Sequence, residues 1–232
     1  MSLKKNQNIY VVILAGGIGS RIKSELPKQF LKLNEQPVLI HTLKKFDIPE
    51  ITGKIIVMPD EYIPMANSIL EEYKMKDILA IVPGGKTRQG SSYNALNSLE
   101  FNEDDILICH DAARPFVKQE YIKACITETI KTGASGLYVK AIDTIAEAEN
   151  EYIKNIPSRD ELYYTQTPQV FRYNILKEAH ELALSKKITN ATDDVSLVLD
   201  AGYKVKIVEG DYDNIKITTP FDLKIGEMML KE

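Results

Sequence analysis

The sequence predicts an α/β fold in which helices cover both faces of a mostly parallel sheet. Short apolar runs recur along the chain, and segments with helical spacing of apolar residues separate them. The first run, residues 9–15, is continuously apolar and stops at Gly16 and Gly17, as a strand buried on both faces does. Such alternation favours parallel strands, because a crossover between parallel strands usually contains a helix.

The remaining elements follow from the same patterns. Further strands are predicted at Lys54–Met58, Leu79–Val82, Ile106–His110 and Ser135–Ala141. Helices are predicted at Val38–Phe46, Ile63–Tyr73, Ser91–Leu99 and Tyr121–Lys131. Parallel sheets bind ligands at the carboxyl ends of their strands, so a site is expected in the loops after Ala15, Val82 and His110.

Residues 143–169 interrupt the alternation. This segment is polar, contains Pro157 and Pro168, and has no helical period. We interpret it as a β-arm that protrudes from a single domain formed by residues 1–232. After the arm the sequence predicts a helix at Asn174–Ser185, a strand at Lys204–Val208, a short strand near Ile215–Ile217, and a last helix at Pro220–Leu230 with Thr219 as its N-cap.

Composition excludes several classes of function. The 232 residues carry a formal net charge of −4, which lacks the basic excess of a nucleic-acid-binding protein. Cys109 and Cys125 form neither a disulfide framework nor a zinc-binding pattern. Residues 9–15 are too few to span a membrane. We therefore expect a cytoplasmic protein that acts on small molecules and binds neither nucleic acid nor a membrane.

The first glycine-rich loop follows the first strand. In it Ala15, Gly16, Gly17 and Gly19 leave backbone N–H groups free to approach phosphate oxygens. The loop is not a dinucleotide fingerprint, because Ile22 occupies the position of the third glycine, and no Gly-Lys-Ser/Thr completes a P-loop. A strand-to-helix turn without a ligand is the alternative.

Two cations follow this loop. Arg21 and Lys28 would provide the positive charge that a triphosphate needs, both for binding and for stabilising pyrophosphate as a leaving group. They could equally be solvated surface residues.

A second glycine pair, Gly84 and Gly85, follows the third strand, and Arg88 and Ser91 come just after it. This loop could read the edge of a base through directed hydrogen bonds. Ser91 could instead only cap the following helix.

An acid and an arginine follow the strand at Ile106–His110. Asp111 could bind Mg²⁺ or a substrate hydroxyl, since magnesium prefers hard oxygen ligands. Alternatively, Asp111 only pairs with Arg114. Cys109 and His110 end an apolar strand, and we interpret both as packing or hydrogen-bonded core groups.

Taken together, five motifs resemble the 2-C-methyl-D-erythritol 4-phosphate cytidylyltransferases and their ribitol-5-phosphate relatives over nearly the whole chain. The motifs are Leu-Ala-Gly-Gly-Ile-Gly-Ser-Arg at 14–21, Pro-Lys-Gln-Phe at 27–30, His-Asp-Ala-Ala-Arg-Pro at 110–115, Gln-Thr-Pro-Gln at 166–169 and Asp-Asn-Ile-Lys-Ile-Thr at 213–218. The resemblance implies a Rossmann-like sheet of the nucleotide-diphospho-sugar transferase type. It also implies transfer of CMP from CTP to a polyol phosphate, with Mg²⁺, in isoprenoid biosynthesis.

The resemblance also implies roles for single residues. Arg21 and Lys28 match residues that stabilise the transition state, and Arg159 and Lys216 match residues that position the acceptor phosphate. Nucleotide contacts fall on Ala15, Gly16, Gly17, Gly19, Gly84, Gly85, Arg88 and Ser91. Acceptor contacts fall on Asp111, Arg114, Thr144 and Thr167. A homodimer is implied, with the arm carrying Thr144 and Arg159 into the neighbouring active site.

Other readings stay open at this point. The opening loop and residues 141–145 look more like the ribitol phosphate enzymes, whereas residues 110–115 and 192–194 look more like the methylerythritol phosphate enzymes. The triplet Asp211-Tyr212-Asp213 also satisfies the Asp-x-Asp pattern of metal-dependent glycosyltransferases, although it lies close to the C-terminus. A nucleotide-binding regulator without catalysis is a third possibility.

Overall fold

A seven-stranded sheet forms the centre of the molecule. The computed structural model describes residues 7–17 and 26–231. The strand order is β11-β7-β10-β6-β1-β4-β5, and every neighbouring pair is parallel except the two that involve β10. This architecture confirms the predicted α/β fold with a mostly parallel sheet.

The elements lie close to their predicted bounds. The main-sheet strands are β1 Ile9–Leu14, β4 Gly53–Met58, β5 Ile78–Pro83, β6 Ile106–Asp111, β7 Ala134–Lys140, β10 Tyr163–Arg172 and β11 Lys206–Glu209. Two small hairpins add β2 Lys32–Leu33 with β3 Gln36–Pro37, and β8 Glu147–Glu149 with β9 Tyr152–Asn155. The helices are α1 Val38–Lys45, α2 Ile63–Glu72, α3 Arg88–Leu96, α4 Gln119–Thr132, α5 Tyr173–Ser185, α6 Asp194–Asp200 and α7 Pro220–Met229.

Alternate residues of the central strands pack on opposite faces of the sheet. On β1, Val11 and Ile13 join the apolar cluster that also contains residues of α1, α2 and α4. Val12 and Leu14 join a second cluster, which also contains residues of α3, α5 and α6. Because both faces are covered, the strands can be apolar throughout. Among the described residues no helix is long and apolar enough to cross a membrane.

The predicted arm is shorter than the sequence suggested. The hairpin β8–β9 occupies its middle, but β10 already begins at Tyr163 and lies in the main sheet between β7 and β6. Residues 163–169 were therefore wrongly assigned to the excursion. The apolar pattern missed them because Gln166, Thr167 and Gln169 are buried polar residues whose side chains are hydrogen-bonded.

Two further predictions differ from the structure. Residues 215–217 form no strand. Instead, Ile217 is buried in a small cluster beside α7, and its backbone N–H donates to Ala113 O. The helix α6 was not predicted, because its seven residues are too few for a helical period to stand out.

A capping box fixes the start of α7, as the Thr219 prediction required. The Thr219 hydroxyl accepts from the Asp222 N–H, while the Asp222 carboxylate accepts from the Thr219 N–H at 2.7 Å. Along the helix, Gly226 lies against Leu33 and Phe116, where a Cβ would come within 3.0 Å of Leu33 Cδ1. The cap thus anchors the helix that follows the Lys216 loop.

We predict that Thr219→Ala lowers the free energy of unfolding by about 1 kcal/mol, because it removes the N-cap acceptor. Urea denaturation followed by circular dichroism measures this change. Ser68→Ala is the matched control, since Ser68 is an exposed hydroxyl within α2; it should shift the free energy by less than about 0.5 kcal/mol. Equal losses in both variants would show that the cap does not stabilise α7.

Candidate active site

Two adjoining clefts lie where β1 and β6 end. The first cleft, of about 260 Å³, is bordered by Gly16, Gly17, Lys28, Gly85 and Ser91. The second, of about 210 Å³, is bordered by Arg114, Thr167, Gln169, Thr192 and Asp193. Three charged residues line both clefts: Arg88, Asp111 and Lys216. The loops predicted to carry a site therefore border these clefts.

The first glycine-rich loop is held by the sheet and by Gln29. The Ala15 N–H donates to Val57 O at 2.7 Å, and the buried Gln29 side chain donates to Ala15 O at 2.7 Å. The Lys28 side chain lies against the loop, since a Cβ on Gly17 would be 3.6 Å from Lys28 Cε. Gly19 and Arg21, both predicted site residues, lie outside the described residues.

The second loop is closed by hydroxyl groups. Ser91 Oγ accepts from the Gly85 N–H at 3.1 Å and donates to Thr87 O at 3.1 Å. The helix cap is Thr87, whose hydroxyl accepts from the Gly90 N–H, so the reading of Ser91 as the cap is wrong. Only glycine fits at 85, because a Cβ there would lie 2.5 Å from Gly90 C.

Gly84 and Gly85 differ in position. Gly85 borders the first cleft, whereas Gly84 donates its N–H to Met58 O and continues the pairing of β5 with β4. The exposed Lys86 also borders the cleft and was missed by the sequence analysis. A lone lysine beside a glycine loop has no signal that separates it from a surface lysine.

Three cations surround Asp111. Lys216 Nζ lies 2.6 Å from Asp111 Oδ2, while Arg88 Nε and Arg114 Nε each lie 3.8 Å from a carboxylate oxygen. Burial alone would raise the pKa of Asp111, but the charges of Lys216, Arg88 and Arg114 outweigh it and lower that pKa to about 2. Asp111 is therefore ionised. It does pair with Arg114, but Arg88 and Lys216 lie beside it as well.

His110 has a structural role, as predicted. His110 Nε2 donates to Arg114 O at 3.0 Å, because a carbonyl oxygen can only accept. In the neutral ring Nδ1 therefore accepts from Thr167 Oγ1, which itself accepts from the Asp111 N–H. Burial lowers the pKa of His110 to about 4, so the ring is neutral. Thr167 borders the second cleft, but its hydroxyl is already engaged in holding the Asp111 turn.

The loop that carries Lys216 is fixed by Asn214. The buried Asn214 side chain donates to Gln166 Oε1 and Thr167 O, each at 3.0 Å, and Arg114 Nη1 donates to Asn214 O at 2.7 Å. Gln166 Nε2 in turn donates to Asp211 O. The motifs contain these residues, but their supporting role depends on pairings that sequence spacing does not show.

Asp211 and Asp213 have a structural explanation as well. Lys118 forms an ion pair with Asp211 and lies 3.9 Å from Asp213. The Tyr121 hydroxyl also approaches Asp211. The Asp-x-Asp pattern is thus accounted for by its contacts with α4.

Thr144 and Arg159 lie apart from the other predicted site residues. Both are exposed and border neither cleft, and Arg159 Nη1 donates to Ile142 O at 3.2 Å. The arm around them exposes Ile142, Tyr152, Ile153 and Ile156.

Asp111 is the predicted metal ligand. In the described part of the chain no group of three or more His, Cys, Asp or Glu side chains could hold a metal ion. A single carboxylate beside a glycine-rich loop fits Mg²⁺, which keeps several waters and is bound largely by substrate phosphates. The residues present therefore fit a magnesium ion that arrives with a triphosphate.

Comparisons with known proteins agree with this geometry. The family model for 2-C-methyl-D-erythritol 4-phosphate cytidylyltransferase matches residues 9–232. A relative of that name from Thermosipho africanus is 41% identical over 216 residues, covering 92% of this chain and 94% of its own. Another, from Desulforamulus reducens, is 41% identical over 227 residues, covering 97% and 96%.

Solved structures are similar too. The 2-C-methyl-D-erythritol 4-phosphate cytidylyltransferase of Francisella tularensis superposes with a TM-score of 0.82 at 33% identity, covering 96% of this chain and 99% of that one. The 4-diphosphocytidyl-2C-methyl-D-erythritol synthase of Anaerococcus prevotii superposes with a TM-score of 0.84 at 29% identity, covering 97% of each chain. Because the family model matches this chain over nearly its full length, the chain belongs to the 2-C-methyl-D-erythritol 4-phosphate cytidylyltransferase family.

Proposed function

We propose that this protein transfers CMP from CTP to 2-C-methyl-D-erythritol 4-phosphate and releases pyrophosphate, as a step of isoprenoid biosynthesis. The observation that carries the proposal is the group of cations around Asp111, which borders two adjoining clefts. Two polyanionic substrates need such a group between them. The names of the relatives supply the identity of those substrates.

The first cleft is suited to the nucleotide. Gly16 and Gly17 present exposed backbone beside Lys28, which suits the triphosphate. Gly85 and Ser91 also border this cleft, which suits the cytosine. The Ser91 hydroxyl already has one donor and one acceptor, so it can offer a base only its second lone pair.

The second cleft is suited to the acceptor. It combines Arg114 and Lys216 with neutral polar groups such as Gln169 and Thr192, which suits a phosphate joined to a polyol. Asp111 borders both clefts and provides a carboxylate for a hydroxyl of the acceptor or for Mg²⁺.

The reaction requires charge neutralisation more than a base. The acceptor phosphate is already an anionic nucleophile: one of its oxygens forms a bond to the α-phosphorus of CTP, and the bond from that phosphorus to the bridging oxygen of pyrophosphate breaks. Lys28 and Arg21 would offset the charge that develops there, while Lys216 and Arg159 would position the acceptor. Mg²⁺ held by Asp111 and the triphosphate would supply further neutralisation of the phosphate oxygens.

The proposal includes a homodimer in which the arm reaches the partner's site. It is supported by the position of Thr144 and Arg159 outside both clefts of their own chain and by the apolar residues that the arm exposes. A cytoplasmic location is part of the proposal, in keeping with CTP as a substrate and with two free, buried cysteines.

We predict pyrophosphate release from CTP with 2-C-methyl-D-erythritol 4-phosphate and Mg²⁺, measured by a coupled phosphate assay. Chelating the magnesium should abolish turnover, and adding it back should restore turnover. D-Ribitol 5-phosphate is the parallel acceptor, expected to react far more slowly. Faster turnover with ribitol phosphate would overturn the proposed acceptor, and silence with both would overturn the activity.

Lys28→Ala should lower kcat by about 100-fold or more, because it removes a fixed cation at the reacting phosphates. Steady-state kinetics at saturating CTP measures this change. Lys177→Ala is the control, since Lys177 is an exposed lysine of α5 that borders neither cleft. A wild-type kcat in Lys28→Ala would exclude Lys28 from the chemistry.

Arm exchange predicts subunit complementation. Arg159→Ala should mainly raise KM for the acceptor, so both this variant and Lys28→Ala are assayed at low acceptor concentration. When the two are co-expressed, about a quarter of wild-type activity should return, since random assortment gives half heterodimers, each with one intact site.

The matched control is co-expression of Lys28→Ala with Lys216→Ala. Lys28 and Lys216 both lie outside the arm. Each active site of a heterodimer therefore contains one of the two substitutions, and no activity returns. Equal activity in the two mixtures would contradict arm exchange.

A further inference from the structure

Asp194 is a fully buried carboxylate directly behind the shared wall of the two clefts. It is 0% exposed and begins α6, and neither cleft is lined by it. Arg88 Nη1 donates to Asp194 Oδ2 at 2.8 Å, and His180 Nε2 donates to Oδ1 at 3.1 Å. Burial would raise the pKa of Asp194, but Arg88 and His180 outweigh it and lower that pKa, so the group is ionised.

The position of Asp194 is itself fixed. Its N–H donates to Gln169 Oε1 at 3.2 Å, and Gln169 Nε2 donates to Asp193 Oδ2 at 3.1 Å. Gln169 belongs to β10, and its backbone partner in the sheet is Cys109 of β6. The carboxylate that meets Arg88 is therefore tied to the strand that carries Asp111.

Arg88 depends on this carboxylate for its placement. It is the first residue of α3, and its other acid, Asp111, is 3.8 Å away, too far for a hydrogen bond. Arg88 Nη2 is buried without a hydrogen-bond partner in the described part of the chain. The Arg88 side chain as a whole is 22% exposed and borders both clefts, so its exposed part can contact a phosphate or hydroxyl oxygen of a ligand.

Stability alone does not explain the pair. Replacing a buried ion pair by apolar residues of similar volume is often neutral or stabilising, so such a pair is weak support for a purely structural role. The pair joins the first residue of α3, which borders both clefts, to the first residue of α6, which follows Asp193 of the second cleft. It thus ties the two helix starts together beside the clefts.

We propose that Asp194 is a positioning residue for the transfer reaction, which acts by holding the Arg88 side chain at the border of both clefts. This inference rests on the proposed function for its substrates. Asp194 itself touches neither substrate. Its effect on binding and turnover is transmitted through Arg88. His180 supports the carboxylate by donating a hydrogen bond to its other oxygen.

A double-mutant cycle tests the proposal. Asp194→Asn keeps the shape of the side chain but removes its charge, and it should weaken CTP binding about tenfold and lower kcat/KM by at least as much. In an Arg88→Met background the same change should alter both quantities less than twofold. The double variant also leaves no unpaired buried charge at this position, which favours its folding.

Two measurements separate this inference from the proposed function. CTP affinity is measured by isothermal titration calorimetry without any acceptor, and kcat/KM by pyrophosphate release. If the wild-type protein shows no turnover, the proposed function is overturned. The double-mutant cycle on CTP affinity still tests the role of Asp194 in that case. Independent effects of the two substitutions in the binding cycle would show that Asp194 is merely structural and overturn the inference.

One control tests whether the effect is specific to Asp194, and another tests whether each variant is folded. Asp200→Asn changes an exposed acid at the other end of α6 and should leave affinity and turnover unchanged. Circular dichroism at the assay temperature establishes that each variant is folded. Where Asp194→Asn or Arg88→Met does not fold, His180→Phe and Arg88→Lys replace them in the same cycle; His180→Phe should weaken CTP binding in the wild-type background only.

Discussion

The site depends on the carboxylate of Asp111 at the end of the central strand β6. Arg88 begins α3, whereas Arg114 and Lys216 lie in two different loops, and all three cations surround this one carboxylate. Cations gathered around one point repel each other. Asp111 offsets that repulsion before any substrate binds. The arrangement of cations is consequently present in advance, which is what electrostatic stabilisation of a transition state requires.

Asp111 is in turn held by polar groups that are buried and hydrogen-bonded. Thr167 and His110 fix the turn that carries it, and Asn214 fixes the loop that carries Lys216. These groups explain why β10, a polar strand, lies in the middle of the main sheet. Its buried polar side chains hold the site, while Val170 and Phe171 pack in the apolar core, and each polar atom buried there requires a partner.

The sequence was sufficient for elements that follow from apolar patterns. The strands β1, β4, β5 and β6 lie where alternation predicted, and so do the glycine pairs after β1 and β5. It was insufficient where contacts between distant residues determine the backbone conformation. β10 and the loop at 215–217 depend on hydrogen bonds to distant residues such as Ala113. Only the family resemblance placed Lys216 and Asp111 in one site, and it did not predict their ion pair. Asp194 had no role assigned, because its partners Arg88 and His180 are far from it along the chain.

The cations of the site differ in how firmly they are held. Lys216 pairs with Asp111 at 2.6 Å but its side chain is 41% exposed, so water screens the pair and a substrate phosphate can replace the carboxylate at little cost. Arg88 instead meets the fully buried Asp194, where an ion pair cannot be exchanged for solvent. Lys216 can therefore move with the substrate, while Arg88 stays in place. A cation that is fixed before the substrates bind does not have to be reorganised as two repelling anions approach, which is how preorganised electrostatics lower a barrier.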